Sequence, residues 1–434
     1  MFWDPEPSND PARDLPVWCL GRSYKLDEGE LRRSAVSRKT VAPTGLPSQE
    51  TSPNATEPEN HKVETPQKSH SSSVSSSLAY EDGTDDNSWP RGFLDDFESR
   101  IWMTYRSDFD PIRRSEDPKA ISALSLSMRV KAHLGADSSG FSSDSGWGCM
   151  IRSGQSLLAN TLSILKLGRD WRRGDQLAEE KALLRLFADD PMAPYSIHKF
   201  VQHGEGSCGK YPGEWFGPSA TARCIQALAN AKETSLRVYS TGDGPDVYED
   251  RFMEIAKGTD GCFHPTLILV GTRLGIDKVT PVYWEALIAA LQMTQSVGIA
   301  GGRPSSSHYF VGAQGSFLFY LDPHHTRRAL PYHADSSRYT EEEVASCHTA
   351  RLRRLHVREM DPSMLVGFLI RSEADWQEWK QSVKHVQGKA IIHISPCDPT
   401  QHGAGGSDCR AEAIDEVETL SDDEEEEEKV ASPR

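Results

Sequence analysis

The sequence lacks several things that would place it in common functional classes. It has no CxxC pair: its eight cysteines stand alone at 19, 149, 208, 224, 262, 347, 397 and 409. That spacing excludes zinc ribbons and fingers. It has no long apolar run; stretches such as Thr266 to Val270 fall far short of the roughly 20 residues that span a bilayer. The start, Met1-Phe2-Trp3-Asp4-Pro5, has no charged region followed by an apolar one, as a secretory signal would. These three absences together predict a reducing, cytoplasmic setting with free thiols.

Positive charge is also short. Lys and Arg number 48 against 64 Asp and Glu, a formal charge of −16 over 434 residues. Most of that excess is local. Glu412 to Glu428 holds eleven acidic residues and no basic one, and without it the charge is −5. A mildly acidic body offers no basic footprint for nucleic acid. Apolar residues are scarce from 27 to 90, where Ser, Thr, Pro, Asn and Glu dominate and His70-Ser71-Ser72-Ser73-Val74-Ser75-Ser76-Ser77 occurs. Such a segment cannot bury enough surface to offset its ordering entropy. The expected organisation is a short N-terminal segment at 1–26, a disordered Ser/Pro-rich insertion at 27–90, a folded domain at 91–395 and a disordered acidic tail at 396–434.

Within the folded part, Phe93, Leu94, Phe97, Ile101 and Trp102 recur at helical spacing, which predicts a helix over 92–105. A glycine-rich loop from about His133 to Gly148 leads into a second helix whose stripe of Met150, Ile151, Leu157, Leu158, Leu162 and Leu165 faces a core. Further helices are expected within 174–196 and over Pro218 to Lys232, with Gly204 to Gly213 a loop. Strands then dominate: Leu236 to Ser240, Thr266 to Thr272, Met364 to Ile370 and Lys389 to Ile394. Ser307 to Ala313 and Ser316 to Leu321 form a hairpin about Gln314-Gly315. Helices first and strands later predict an α+β fold.

The chemistry centres on Cys149, at the junction of the glycine loop Ser145-Gly146-Trp147-Gly148 and the second helix. Unpaired N–H groups at a helix start favour thiolate over thiol, and the thiolate is the nucleophile. Such a nucleophile needs a base and a group to hold that base. In Tyr320-Leu321-Asp322-Pro323-His324, positions i and i+2 of an extended segment project to the same side. Pro323 also biases Asp322 toward extended backbone. His308 is the rival base: the order Cys149, His308, Asp322 is that of a papain-like site. Spacing alone leaves both pairs, His308–Asp322 and Asp322–His324, open. His325, at i+3, faces away. The backbone N–H of Cys149 is one donor to a developing oxyanion, and Tyr105, at the end of the predicted first helix, is an available second. No cofactor and no metal is called for.

Five ordered blocks carry a resemblance: Trp102-Met103-Thr104-Tyr105-Arg106, Ser145-Gly146-Trp147-Gly148-Cys149-Met150-Ile151-Arg152-Ser153-Gly154-Gln155, Gly213-Glu214-Trp215-Phe216-Gly217-Pro218, Gly301-Gly302-Arg303-Pro304-Ser305-Ser306-Ser307-His308-Tyr309-Phe310 and Leu321-Asp322-Pro323-His324. Together they resemble the autophagins, the autophagy-related cysteine endopeptidases, and Val17-Trp18-Cys19-Leu20-Gly21 is similar to the family's N-terminal segment. The insertion and acidic tail resemble a fungal-type member. The resemblance implies a papain-like peptidase fold with a small auxiliary subdomain. It implies Cys149 as nucleophile, His324 as base, Asp322 as orienting carboxylate and Tyr105 as oxyanion donor. Trp215 is implied as a cover over the cleft, and the Gly298 to Ser306 segment, with Gly301, Gly302 and Pro304, as a gating loop. The implied substrate is a ubiquitin-like autophagy modifier, cut after its C-terminal glycine both to mature it and to release it from phosphatidylethanolamine. The implied location is cytoplasmic, with recruitment to autophagic membranes and access to the nucleus. A catalytically silent protein that binds the same modifier is the alternative.

Two further features are weaker. The tail segment Ala413 to Leu420 is acidic and aliphatic but has no aromatic residue, unlike the aromatic-x-x-aliphatic docking motifs that add a strand to a partner. Phe252-Met253-Glu254-Ile255 fits that motif formally, but its expected place is a helix facing the core. Cys347 and Cys397 are expected to be inert thiols.

Overall fold

The computed structural model describes residues 6–9, 12, 14–26, 89–125, 129, 140–232, 235–259 and 261–400. The acidic stretch and nearly all of the Ser/Pro-rich insertion lie outside the described residues. Among the described residues no helix is long and apolar enough to cross a membrane.

A nine-stranded sheet organises the molecule. Its strands run in the order Arg354–His356, Phe317–Leu321, Ser306–Gln314, Ser296–Arg303, Ser363–Ile370, Thr266–Arg273, Arg237–Ser240. Neighbours are antiparallel except the last pair, which is parallel. Both faces are covered, so the central strands read as continuous apolar runs. The period-two alternation still sorts their side chains. Leu267 and Leu269 join a core on one face, with Leu157, Leu158 and Ile225; Ile268 and Val270 join a second core on the other, with Phe252, Leu287 and Trp376.

The first core holds the helix Cys149–Lys166, buried from Cys149 to Ile164. Gly154 allows this helix to lie against Thr221 of the helix Pro218–Lys232, since a Cβ there would overlap the threonine methyl. The second core holds the helices Glu249–Lys257, Trp284–Gln292 and Glu373–Lys384. Phe252 is fully buried on the first of these, stacked 4.0 Å from Trp376. It is therefore a core residue.

Several expectations need correction. The first helix is Arg91–Glu98, not 92–105. Ser99 caps it, its hydroxyl and N–H both turning back to the Asp95 carbonyl. Ile101 and Trp102 are buried, but from a segment without regular structure that leads into the strand Arg106–Ile112. Helical spacing could not distinguish this, because both conformations bury the same residues. The helix Ile197–Ser207 runs into the glycines expected to be loop; Gly204 lies against the Phe216 ring, where a Cβ would overlap it. The final strand is only His393–Ser395. Six described cysteines are free thiols, but Cys397 is disulfide-bonded, against the expectation of free thiols throughout.

The short N-terminal segment is not a separate piece. Val17–Cys19 pairs with Arg22–Tyr24 and also with Ser306–Gln314, Trp18 opposite Ala313 and Cys19 opposite Gly312. Gly312 permits this because a Cβ would overlap the Trp18 carbonyl oxygen. Arg169 binds the Leu20 carbonyl at 3.0 Å and the buried Asp96 carboxylate at 2.8 and 2.9 Å.

Candidate active site

Cys149 is the first residue of its helix, and Gly148 before it supplies no side-chain cap. The preceding turn is built on Asp144, whose carbonyl accepts the N–H groups of Trp147 and Gly148 at 3.1 and 2.9 Å. Only glycine fits at 148, since a Cβ would overlap the Asp144 carboxylate. Cys149 is buried, which by itself favours the neutral thiol. Its pKa is nevertheless lowered, by hydrogen bonding from His324, by the Ser307 backbone N–H, by the His324 charge and by the Trp215 indole.

The strand Phe317–Leu321 ends just before Asp322. Asp322 Oδ1 accepts both the backbone N–H of His324 at 3.0 Å and its ring Nδ1–H at 2.6 Å. This is a local turn held by its own aspartate side chain. The turn is gripped from outside: the Trp102 indole donates to the Asp322 carbonyl at 2.8 Å, and the Thr104 hydroxyl and Tyr105 N–H donate to the Pro323 carbonyl at 2.8 and 2.9 Å. Burial opposes charge on His324, but the hydrogen bonds to Asp322 and Cys149 outweigh it and lift the imidazole to about 9. Burial likewise opposes charge on Asp322, yet the hydrogen bond from His324 and the facing imidazoles hold it below the usual carboxylate range. With Nδ1 committed to Asp322, the tautomer is set. Nε2 is the remaining ring atom, 3.4 Å from the Ser306 hydroxyl.

His308 sits on the neighbouring strand, opposite Gly301. Its Nε2 is 3.8 Å from Asp322 Oδ1, beyond hydrogen-bond range. Its ring lies edge-on to Tyr320 at 4.4 Å, and its Nδ1 has no partner. Burial pushes it down to about 4. Both histidines flank one carboxylate, and His324 is the one that meets Cys149 as well. His325 turns away, stacking on Trp102 at 6.2 Å. The ligand atoms of His308, Asp322 and His324 lie within 4.8 Å of one another; an ion there would have to replace the His324–Asp322 hydrogen bond.

Tyr105 enters from the segment before Arg106, not from a helix end. Its hydroxyl lies beside Cys149 and Gly146; burial, and then the Cys149 charge, raise its pKa. Its ring is edge-on to His324 at 5.3 Å.

Trp215 is 42% exposed, among the most exposed large apolar side chains described, and its indole still reaches Cys149. The segment expected to be a gating loop is mostly sheet. Gly298 pairs with Gly367, Gly301 with His308 and Gly302 with Ser307. Only Pro304 and Ser305 form the turn, Ser305 with a positive φ of 63°. The glycines serve close approach: a Cβ on Gly302 would overlap the Ser306 carbonyl and come 2.9 Å from His308 Nδ1. Glycine inside an apolar extended run was the signal for this. Sequence reasoning also missed Ser307, Trp102 and Asp144, whose roles run through backbone groups or long-range contacts.

Known proteins match this chain closely. The peptidase C54 catalytic domain family matches residues 90–382. A relative from Gibberella zeae named cysteine protease ATG4 is 63% identical over 451 residues, covering 98% of this chain and 94% of the relative. The cysteine protease ATG4 of Pyricularia oryzae is 57% identical, covering 98% and 94%. Cysteine protease 1 of Neurospora crassa is 58% identical, covering 97% and 88%.

Proposed function

Since the chain belongs to the peptidase C54 family of autophagy-related cysteine proteases, with its papain-like fold, we propose that it cuts a ubiquitin-like autophagy modifier after its C-terminal glycine. The observation that carries this reading is the convergence on Cys149 of His324, backed by Asp322 at 2.6 Å, and of the Tyr105 hydroxyl. Cys149 as thiolate attacks the glycine carbonyl carbon. The carbonyl oxygen takes the charge, facing the Tyr105 hydroxyl and the N–H groups at the helix start. The C–N bond breaks as His324 gives its proton to the leaving amine, which leaves a thioester on Cys149. Water then attacks the thioester while neutral His324 accepts its proton. The thiolate leaves, and the freed carboxylic acid loses its own proton to solvent.

The leaving amine takes no part in the recognition just described. A peptide amine and the amine of phosphatidylethanolamine are therefore equivalent in this step, so one site matures the precursor and releases the lipid conjugate. Trp215, whose indole lies beside Cys149, covers the cleft on this reading, and glycine, with no Cβ, threads a narrow gap most readily. The natural partners on this reading are the modifier and, transiently, membranes that bear it. The protein works in the cytoplasm and at autophagic membranes.

The test is to mix the purified chain with a modifier carrying a C-terminal extension and weigh the product. A truncated modifier ending in glycine is expected. Cys149→Ala should bind the modifier and cleave neither the extended nor the lipid-linked form. Residual processing by that variant would overturn the assignment, and no product from the native chain would leave the silent binder as the reading.

A further inference from the structure

One carboxylate joins the segment that carries Tyr105 to the helix that begins at Cys149. Asp144 Oδ1 accepts the Arg106 backbone N–H at 2.6 Å, at the peptide directly after Tyr105. The Asp144 N–H reaches the Arg106 carbonyl at 3.3 Å, while its own carbonyl holds the turn before Cys149. Its Oδ2 accepts Nε of Arg152 at 2.7 Å, one turn along the helix that Cys149 begins. Arg152 Nη1 donates to Asp189 Oδ1 at 2.7 Å, and Asp189 Oδ2 accepts the Leu330 N–H at 2.8 Å. Leu330 follows Arg327, whose N–H donates to the Tyr105 carbonyl at 2.9 Å on the chain leaving His324. These three charged side chains are at most 1% exposed.

Burying such charges is costly, and apolar packing would serve stability as well or better. The network does what apolar packing does not: it fixes register between three chain segments through directional bonds. We propose that Asp144 is a positioning residue that sets the Tyr105 hydroxyl against the Cys149 sulfur, with Arg152 and Asp189 aiming its carboxylate. This rests on the roles proposed above for Cys149 and Tyr105. Displacement of a reacting group by about 1 Å costs on the order of a hundredfold in rate.

Asp144→Asn tests it. The asparagine oxygen can still accept the Arg106 N–H, but its amide nitrogen then faces the Arg152 Nε–H. On an extended modifier, kcat is expected to fall by about thirtyfold or more with KM within about threefold. Tyr105→Phe is expected to fall similarly, and the double variant no further than the worse single one. Alkylation of Cys149 by iodoacetamide against pH is the second readout. Its midpoint should rise by about one pH unit in either variant, and the double variant should add nothing. The groups about the sulfur there are His324, Tyr105, Trp215 and the Ser307 N–H, with the Asp144 charge acting on Tyr105; loss of that charge alone would lower the midpoint, so a rise reports the displaced hydroxyl. Additive losses, or raised KM with unchanged kcat, would overturn the proposal. Should the native chain not process the modifier, the substrate reading fails and the alkylation cycle alone decides the positioning role. Should Asp144→Asn not fold, Arg152→Lys keeps the charge, loses the planar fork, and goes through the same cycle with the same criterion.

Discussion

Asp322 sits between two imidazoles and treats them differently. It bonds His324 Nδ1 at 2.6 Å and leaves His308 Nε2 at 3.8 Å. The charged imidazole is the one lifted to about 9, and the buried one pushed down to about 4 stays neutral. On the roles proposed for them, the Cys149 thiolate and His324 imidazolium form the active ion pair, which survives upward in pH until His324 loses its proton near 9. In Asp322→Asn the principal upward influence is gone, so the alkaline limb of the kcat/KM profile should move down from about 9 toward the ordinary 6.5. An unmoved limb would remove Asp322 from that role. His324→Ala should cost about a thousandfold in kcat. His308→Ala should leave kcat within about tenfold and instead lower stability by about 1–3 kcal/mol. Equal inactivity in folded variants of both would reopen the choice of base. The signs of linkage also differ. His324 is raised on folding, so its contribution to stability is complete below 6.5 and fades as pH rises through about 9. His308 is depressed, so the unfolded chain binds the extra proton and stability falls as pH drops from 6.5 toward 4.

At the scale of elements, the hairpin Ser306–Gln314/Phe317–Leu321 brings the pieces together. One arm places His308 and the Ser307 N–H; the other ends at Asp322. Gly302 lets the adjoining strand lie against it. Gly302→Ala should push the turn away from Cys149 and lower kcat by about tenfold or more, with a fall in Tm measured by thermal unfolding. Unchanged kcat and Tm would mean that the strands can relax around a Cβ. This hairpin was legible in the sequence, because two alternating apolar runs met at Gln314-Gly315 and Asp322-Pro323-His324 closed the second. The helix Pro218–Lys232 was legible to its ends, with Pro at its first position. The first helix was not. Its apolar spacing persists past Glu98 because the non-helical residues Ile101 and Trp102 bury their side chains too. The resemblance implied a gating loop over Gly298 to Ser306, yet tertiary contact makes the glycines among them strand residues. Spacing left the choice between His308 and His324 open and the resemblance gave His324; the distances to Asp322, 2.6 Å against 3.8 Å, are what spacing could not supply.

Across the whole molecule, the N-terminal segment covers the end of Ser306–Gln314, an inner strand of the sheet, where that strand runs past its neighbour Ser296–Arg303. Val17, Cys19 and Leu20 are each at most 1% exposed. Trp89 donates to the Pro7 carbonyl at 3.1 Å, and Gln314 binds Asn9 and the carbonyls of Ala12 and Leu15 at 2.8 to 3.2 Å. Burying three such apolar side chains contributes on the order of 5 kcal/mol. Total domain stabilities run about 5–15 kcal/mol, so losing the segment should use up much of the margin. Its loss would also remove one of the two pairings of Gly312 and Ala313, which stay bonded to Phe319 and Leu318, and leave that side of an apolar strand open to other chains. A chain beginning at Trp89 should therefore show a Tm lower by several degrees or more. It should also self-associate on light scattering, although Cys149, Tyr105, Asp322 and His324 are all retained. Adding back residues 1–26 as a separate peptide should recover part of the loss, because the strand pairs through its backbone. If the truncated chain matched the full one in Tm and stayed monomeric, the segment would be a surface ornament and that strand end self-sufficient. The expected outcome makes residues on either side of the long insertion parts of one cooperative unit. That accounts for a Val-Trp-Cys-Leu-Gly stretch so far in sequence from the domain it completes.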